Sequence, residues 1–293
     1  MKFWVKLSRI IFRIAVSPWL KKIRLKSIES VLRKSIPILE PEMLEEIRAF
    51  VRSKQTPQGG FADRAGKCDL YYSLFGYFLA EALVIPEVNS PFRLYVKKII
   101  RETTLSGVNL YCGAILYVKL HGFDSYTERL KKQIVSVLAK SDLQQPEYAN
   151  FLGIMALYYL EDFLSIKRII HTYKSHTFQD NLPCPVLAAT ILLLEIAGRT
   201  KPESQKKLYS FYRSKGGFAA FKQAPSEDLL STAVALYALN FMSADIRLIK
   251  PESLSFIDGL YHNGGFMSMP SDNEIDVEYT FYGLLALGSL QER

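Results

Sequence analysis

Three stretches of the chain share one pattern: Gly59-Gly60-Phe61 leading to Asp69-Leu70-Tyr71-Tyr72-Ser73, Gly216-Gly217-Phe218 leading to Asp228-Leu229-Leu230-Ser231-Thr232, and Gly264-Gly265-Phe266 leading to Asp276-Val277-Glu278-Tyr279-Thr280. The first glycine and the aspartate lie 10, 12 and 12 residues apart. Paired glycines permit the positive φ of a tight turn, and an aspartate before an apolar run is a helix N-cap that accepts from orphan N–H groups. Each copy predicts a polar helix, a Gly-Gly-Phe turn and an apolar helix.

Working outward, the span from Asp69 to Asp276 holds five steps of about 41 residues. Residues 41–54, 91–104, 126–140, 165–175, 202–213 and 251–259 read as amphipathic helices, and 107–120, 147–160, 185–198, 228–242 and 276–290, with the helix after Asp69, as apolar ones. Pro146, Pro183 and Pro185 stand at helix starts. Strand signals are absent. Six hairpins stacked as an open solenoid need a polar end. The last unit instead finishes Phe281-Tyr282-Gly283-Leu284-Leu285-Ala286-Leu287. A closed ring follows, with the apolar helices inside and their aspartates gathered at one mouth.

The charge belongs to a tail. Of 37 basic and 29 acidic side chains in 293 residues, ten basic residues and only Glu29 fall in residues 1–34, so 27 basic and 28 acidic remain in the body. That body has no cationic surplus to neutralise phosphates, which excludes a general nucleic-acid binder. Lys2, Lys6, Arg9 and Arg13 recur at helical spacing beside Phe3, Trp4, Leu7, Ile10, Ile11 and Ile14, and Trp19 follows Pro18. Trp4, Lys6, Arg9, Arg13 and Trp19 are thus candidate membrane contacts of an interfacial helix on anionic lipid. Two other readings stay open, a helix laid across the protein's own body and a cleaved presequence. Three cysteines form no closed disulfide framework, so a reducing compartment, the cytoplasm, is the default. The protein is expected there as a peripheral membrane protein, because no apolar run is long enough to span a bilayer.

The Gly-Gly-Phe turns, the opening aspartates and the aromatic or Ser/Thr-rich first turns resemble the repeats of protein prenyltransferase β subunits and of squalene and terpene cyclases, the α/α-toroid superfamily. Three of six repeats carry the likeness in their motifs and the others in their length. The resemblance implies an all-α fold, an α/α toroid (α6/α6 barrel) over 41–293 behind the basic segment 1–34. It also implies an interior that holds an isoprenoid lipid or diphosphate, for which Tyr72, Phe75, Phe78, Tyr111, Tyr158, Tyr237, Phe281 and Tyr282 are the candidate lining. A helical partner subunit is a further implication. The bland alternative is that these aromatics fill a solid core.

The catalytic residues implied by the resemblance carry over only in part. Zinc-dependent prenyltransferases place Asp-x-Cys and Asp-x-x-His at inner-helix starts, whereas here Leu230 follows Asp228 and Tyr279 follows Asp276 at those positions. No family-type zinc, and no magnesium motif, is expected. Cyclases use an Asp-x-Asp-Asp-Thr-Ala element whose middle acid protonates an alkene. Asp228 keeps the first acid with Thr232-Ala233, and Glu278 falls on the middle-acid position of the last repeat. A buried acid near apolar walls has a raised pKa, as a general acid requires. Asp69, Asp228, Asp276 and Glu278 are therefore the candidate catalytic group, against the plain reading of N-caps and a solvated first-turn Glu. Lys97-Lys98, Lys131-Lys132 and Lys206-Lys207 lie on outer helices, where solvated faces are the ordinary explanation. No phosphate-binding loop, dinucleotide fingerprint, serine-hydrolase elbow or His-Glu-x-x-His element occurs. Two classes survive: an enzyme of isoprenoid metabolism, and a non-catalytic toroid that binds an isoprenoid or a partner protein.

Overall fold

A computed structural model of the chain describes residues 23–141, 148–172 and 182–291. Trp4, Lys6, Arg9, Arg13, Trp19 and Pro146 lie outside them. In chain order the helices are α1 (Ile28–Ser35), α2 (Pro41–Ser53), α3 (Leu70–Ala82), α4 (Asn89–Glu102), α5 (Gly107–His121), α6 (Ser125–Leu138) and α7 (Tyr148–Tyr159). There follow α8 (Phe163–Thr172), α9 (Cys184–Ile196), α10 (Pro202–Tyr209), α11 (Leu229–Phe241), α12 (Lys250–Asp258) and α13 (Val277–Ser289).

Two helix types alternate because two sequence patterns alternate. In α6 only the stripe Thr127, Leu130, Ile134 and Leu138 is buried, the spacing of one helix face. In α9 ten of the eleven positions from Cys184 to Leu194 are buried, on all sides of the helix, which requires neighbours all round. The all-apolar helices α3, α5, α7, α9, α11 and α13 form the inner ring, each touching the next, and α13 returns to α3. The amphipathic helices α2, α4, α6, α8, α10 and α12 lie outside, each against an inner helix.

The Gly-Gly-Phe turns add small antiparallel pairings that helix periodicity did not signal. β1 (Phe61–Ala62) pairs with β2 (Cys68–Asp69), and β4 (Gly265–Met267) lies between β3 (Tyr261–His262) and β5 (Ile275–Asp276). In the fifth repeat the same contact is a single bridge, Phe218 to Asp228. The phenylalanine thus pairs with the N-cap aspartate in all three copies. Its N–H donates to the hydroxyl four residues after that aspartate: Phe61 to Ser73 (2.9 Å), Phe218 to Thr232 (2.8 Å) and Phe266 to Thr280 (3.3 Å).

The first glycine of each pair is pressed onto a carbonyl of the next outer helix. A methyl group at Gly59, Gly216 or Gly264 would lie 2.4, 2.0 or 2.5 Å from the carbonyl oxygen of Pro91, Glu252 or Glu46. The first two are steps from one repeat to the next. The third joins the last repeat to the first and closes the ring, where Tyr261 Oη also donates to Glu46 Oε2 (2.5 Å).

The other end of the barrel is closed by residues 23–35. Val31 and Leu32 are fully buried, and a methyl at Gly288 of α13 would sit 2.0 Å from the Val31 carbonyl oxygen. Lys26, counted by sequence among the exposed tail charges, is buried. Its Nζ donates to the carbonyls of Asn240 (2.7 Å) and Phe241 (2.6 Å) and to Ser243 Oγ (2.8 Å) at the end of α11. Ammonium groups are favoured there because helix C-termini leave carbonyls unpaired. The segment read as part of a separate basic region therefore joins the barrel from Ile23 onward. Among the described residues no helix is long and apolar enough to cross a membrane.

Ring closure by Gly264 is open to test. Gly264 has φ +85° and no room for a side chain, whereas Gly66 has φ +77° and open space around it. Gly264→Ala should cost roughly 3 kcal/mol, backbone strain plus displacement of α2, and Gly66→Ala only about 1 kcal/mol of strain, by urea melts. Equal losses would show that the contact does not matter.

Candidate functional site

At the mouth, aspartates cap the inner helices α3, α11 and α13. Asp69, Asp228 and Asp276 Oδ1 accept from the N–H of Tyr72 (2.7 Å), Ser231 (2.7 Å) and Tyr279 (2.8 Å). Asp228 Oδ2 also accepts from Ser231 Oγ (2.7 Å). Burial raises the pKa of Asp69 and of Asp228, and the cap hydrogen bonds oppose that rise.

Arg64, from the β1–β2 connection of the first repeat, reaches the last repeat. Its Nε donates to Asp276 Oδ2 (2.5 Å) and its Nη2 to Asp272 Oδ2 (2.8 Å), while the guanidinium lies 5.2 Å from the centre of the Tyr279 ring. Burial works against the Asp272 carboxylate, but hydrogen bonds from Arg64 and Ser268 hold its pKa well below the usual range. This ion pair spans the seam where the ring closes.

Glu278 differs from the three caps. It stands two residues after Asp276, as Tyr71 stands two after Asp69, and α13 and α3 are neighbours in the ring. Tyr71 Oη donates to Glu278 Oε1 at 2.6 Å. Burial, reinforced by the charge of Asp276, lifts the Glu278 pKa from 4.5 to about 7, against the opposing hydrogen bonds of Tyr71 and Tyr72 and the charge of Arg64. Its carboxyl can therefore hold or release a proton near neutrality. The four expected acids are thus divided by the structure into three capping aspartates and one titrating glutamate.

Below Glu278 an aromatic column descends the axis. Tyr71 meets Phe75 edge-on at 4.8 Å, Phe75 contacts Phe281 (4.9 Å) and Tyr282 (5.6 Å), and Phe281 reaches Phe78 (6.0 Å), which touches Tyr159 (6.1 Å). Tyr148 and Tyr282 share a hydrogen bond of 3.0 Å inside the barrel. Phe75, Phe78, Tyr237, Phe281 and Tyr282 surround a cavity of about 30 Å³, into which Ile28 also projects. Tyr158 and Tyr237 border a second cavity of about 70 Å³. Tyr72 stays at the mouth beside Tyr71, and Tyr111 is buried between α5 and α7 against Gly153. The paired lysines lie on α4, α6 and α10.

The residues at the mouth do not fit zinc. A structural or catalytic zinc needs three or four protein donors. Asp228 and Asp276 are occupied as caps and in the Arg64 pair, and Leu230 and Tyr279 offer no thiolate or imidazole. Among the described residues no three His, Cys, Asp or Glu side chains converge. His262 lies in β3, paired with Gly265, and its ring is bonded to Asn263 (2.9 Å).

Sequence reasoning missed Arg64, Asp272 and Tyr148, and gave Tyr71 no role beyond its place in the first repeat. Tyr71 had a signal: positions two, five, six and nine after each capping aspartate form one helix face, and in α3, α11 and α13 that face borders the axis. Arg64 and Asp272 had none, since they sit in turns 208 residues apart.

The profile of the prenyltransferase α/α-toroid domain matches residues 19–94 and 126–292. No curated protein matches the chain.

The titration of Glu278 has a consequence for stability. Its folded pKa, about 7, lies above its ordinary 4.5, so its contribution to stability is fully present below pH 4.5 and is lost as pH rises through 7. Glu278→Gln should therefore gain stability relative to the native chain at pH 8, by about 1–3 kcal/mol, and little at pH 4.5. Urea melts at the two pH values read this, and a gap independent of pH would contradict it.

Proposed function

The chain belongs to the prenyltransferase α/α-toroid family, and from that premise we propose that it binds an isoprenoid lipid along its aromatic column at a membrane surface and that Glu278 protonates it. The reading rests on one observation: a half-buried acid with a pKa near 7 stands at the head of that column, held by Tyr71. In the proposed step the Glu278 proton passes to an alkene carbon. The π pair forms the new C–H bond, a carbocation remains, and Glu278 becomes a carboxylate that Tyr71 stabilises. Aromatic faces of Phe75, Phe281 and Tyr282 would lie against the cation. The lipid has to part the column, because the resting cavity is only about 30 Å³.

That filled axis, with Ile28 inserted from the far end, favours a second reading in which the toroid is a scaffold for an isoprenoid or a partner protein. The two part on Glu278→Gln, which keeps size and hydrogen bonding but has no proton to give. Turnover of a polyprenyl substrate should fall roughly 100-fold or more while binding persists, and the native rate should decline above pH 7. Unchanged turnover sinks the acid. Mass spectrometry of the purified protein showing no isoprenoid, with no uptake of added polyprenol, sinks lipid binding as well.

Membrane association is assigned to residues 1–22, which carry six basic side chains. Ile23 and Lys26 are part of the barrel, so the informative truncation stops at residue 22. Basic groups near an anionic surface contribute about 1 kcal/mol each, and salt weakens them. Removing 1–22 should abolish sedimentation with phosphatidylserine vesicles while the melting temperature holds. Unchanged sedimentation would remove the tail from the membrane.

A further inference from the structure

The end of the barrel opposite Glu278 carries a second depression with a composition of its own. A cleft of about 360 Å³ lies where residues 24–33 meet the C-terminal ends of α3, α5 and α7. One wall, from the N-terminal segment, presents Arg24 and Arg33; the other, from the helix ends, presents Glu81 and Glu161. Between them Lys119 Nζ and Glu29 Oε1 form an ion pair of 3.1 Å. Arg24 and Tyr158 both line the cleft.

Ser27, Tyr158 and Tyr159 belong both to this cleft and to the cavity of about 70 Å³ beneath it. That cavity is apolar, walled by Ile154, Met155, Ile166, Ile170, Leu193 and Ile196. A charged cleft and an apolar slot thus adjoin at these three residues. Such a sequence of surfaces matches an amphiphile, whose chain gains by burial and whose head must keep its polar partners.

We propose that this cleft binds a zwitterionic lysophospholipid, its phosphate on Arg24 and Arg33, its ammonium on Glu81 and Glu161, and its acyl chain in the slot. The opposed charges select the head group. A purely anionic head would face two carboxylates and three helix C-termini, whose dipoles repel anions. A purely cationic head would face two guanidiniums, groups whose planar forks suit phosphate oxygens. A neutral head matches neither wall. Only a head with both charges, phosphate nearer the tail segment and ammonium nearer the helix ends, is complementary throughout. The small slot favours a short chain. The site is separate from Glu278, with the aromatic column between them.

The test uses the full-length protein and three ligands with one six-carbon acyl chain, soluble as monomers: lysophosphatidylethanolamine, lysophosphatidic acid and monoacylglycerol. By calorimetry the first should bind at least five-fold tighter than the others. Arg24→Glu with Arg33→Glu should weaken it ten-fold or more. Glu81→Lys with Glu161→Lys should reverse the preference toward lysophosphatidic acid. All four positions are exposed, so these variants retain the fold, checked by circular dichroism. Chainless glycerophosphoethanolamine should bind at least ten-fold more weakly, and Ile196→Trp, which fills the slot, should remove that difference. Equal affinity for the three head groups, indifference to both charge reversals, or equal binding of the chainless compound would each overturn the proposal.

Discussion

The contact between a turn glycine and a carbonyl of the next outer helix sets the spacing on which the ring depends. It recurs at Gly59 on Pro91, Gly216 on Glu252 and Gly264 on Glu46. A ring differs from an open stack in that any excess width at one step has to be absorbed elsewhere, and a close-packed interior absorbs little. The remaining motif residues serve the same contact. The phenylalanine ring presses on Gly76 or Gly283 of the following inner helix, where a methyl would lie 2.2 or 2.6 Å from ring carbons. The Ser or Thr hydroxyl accepts the phenylalanine N–H, which the turn would otherwise bury unpaired.

Much of this was legible because it is local. Helix α6 runs Ser125–Leu138 against the 126–140 read from its apolar stripe. Helix α10 ends at Tyr209, short of the 213 suggested by pattern, because Tyr212 leaves the helix to bridge Phe218. What stayed hidden joins distant parts of the chain. Lys26 meets carbonyls 214 and 215 residues away, and nothing in its neighbourhood distinguishes it from Lys21 or Lys22. The seam of Arg64 with Asp272 and Asp276 has the same character. Ring closure could be inferred from an apolar final repeat; the side chains that meet across it could not.

The mouth shows how one functional group, the carboxylate, acquires two roles from arm length. An aspartate at the N-cap is short enough for its carboxylate to turn back onto the N–H three residues ahead, as Asp69, Asp228 and Asp276 do. Glu278, two positions into the helix, cannot serve that cap and extends to Tyr71 on the neighbouring inner helix. Capping keeps the aspartates in fixed backbone hydrogen bonds, whereas Glu278 is met by the phenols Tyr71 and Tyr72 in a buried setting. The raised pKa follows from that difference more than from crowding of acids, since burial is its leading cause.

Parallel inner helices give the barrel two unlike ends. Their amide dipoles point the same way, so one end favours anions and the other cations. The residues follow that field: capping aspartates at the mouth, Lys26 and Lys119 at the far end. The pKa values do not follow it: a mouth ringed with helix N-termini should lower those of Asp69, Asp228 and Glu278, and burial raises them instead. At the far end the charge binds the N-terminal segment to the ring. Withdrawing residues 23–35 would strip three acceptors from a buried ammonium and expose Val31 and Leu32 together. The segment that closes the barrel is therefore held by both polar and apolar contacts, and either kind alone would leave the other unpaired in the interior.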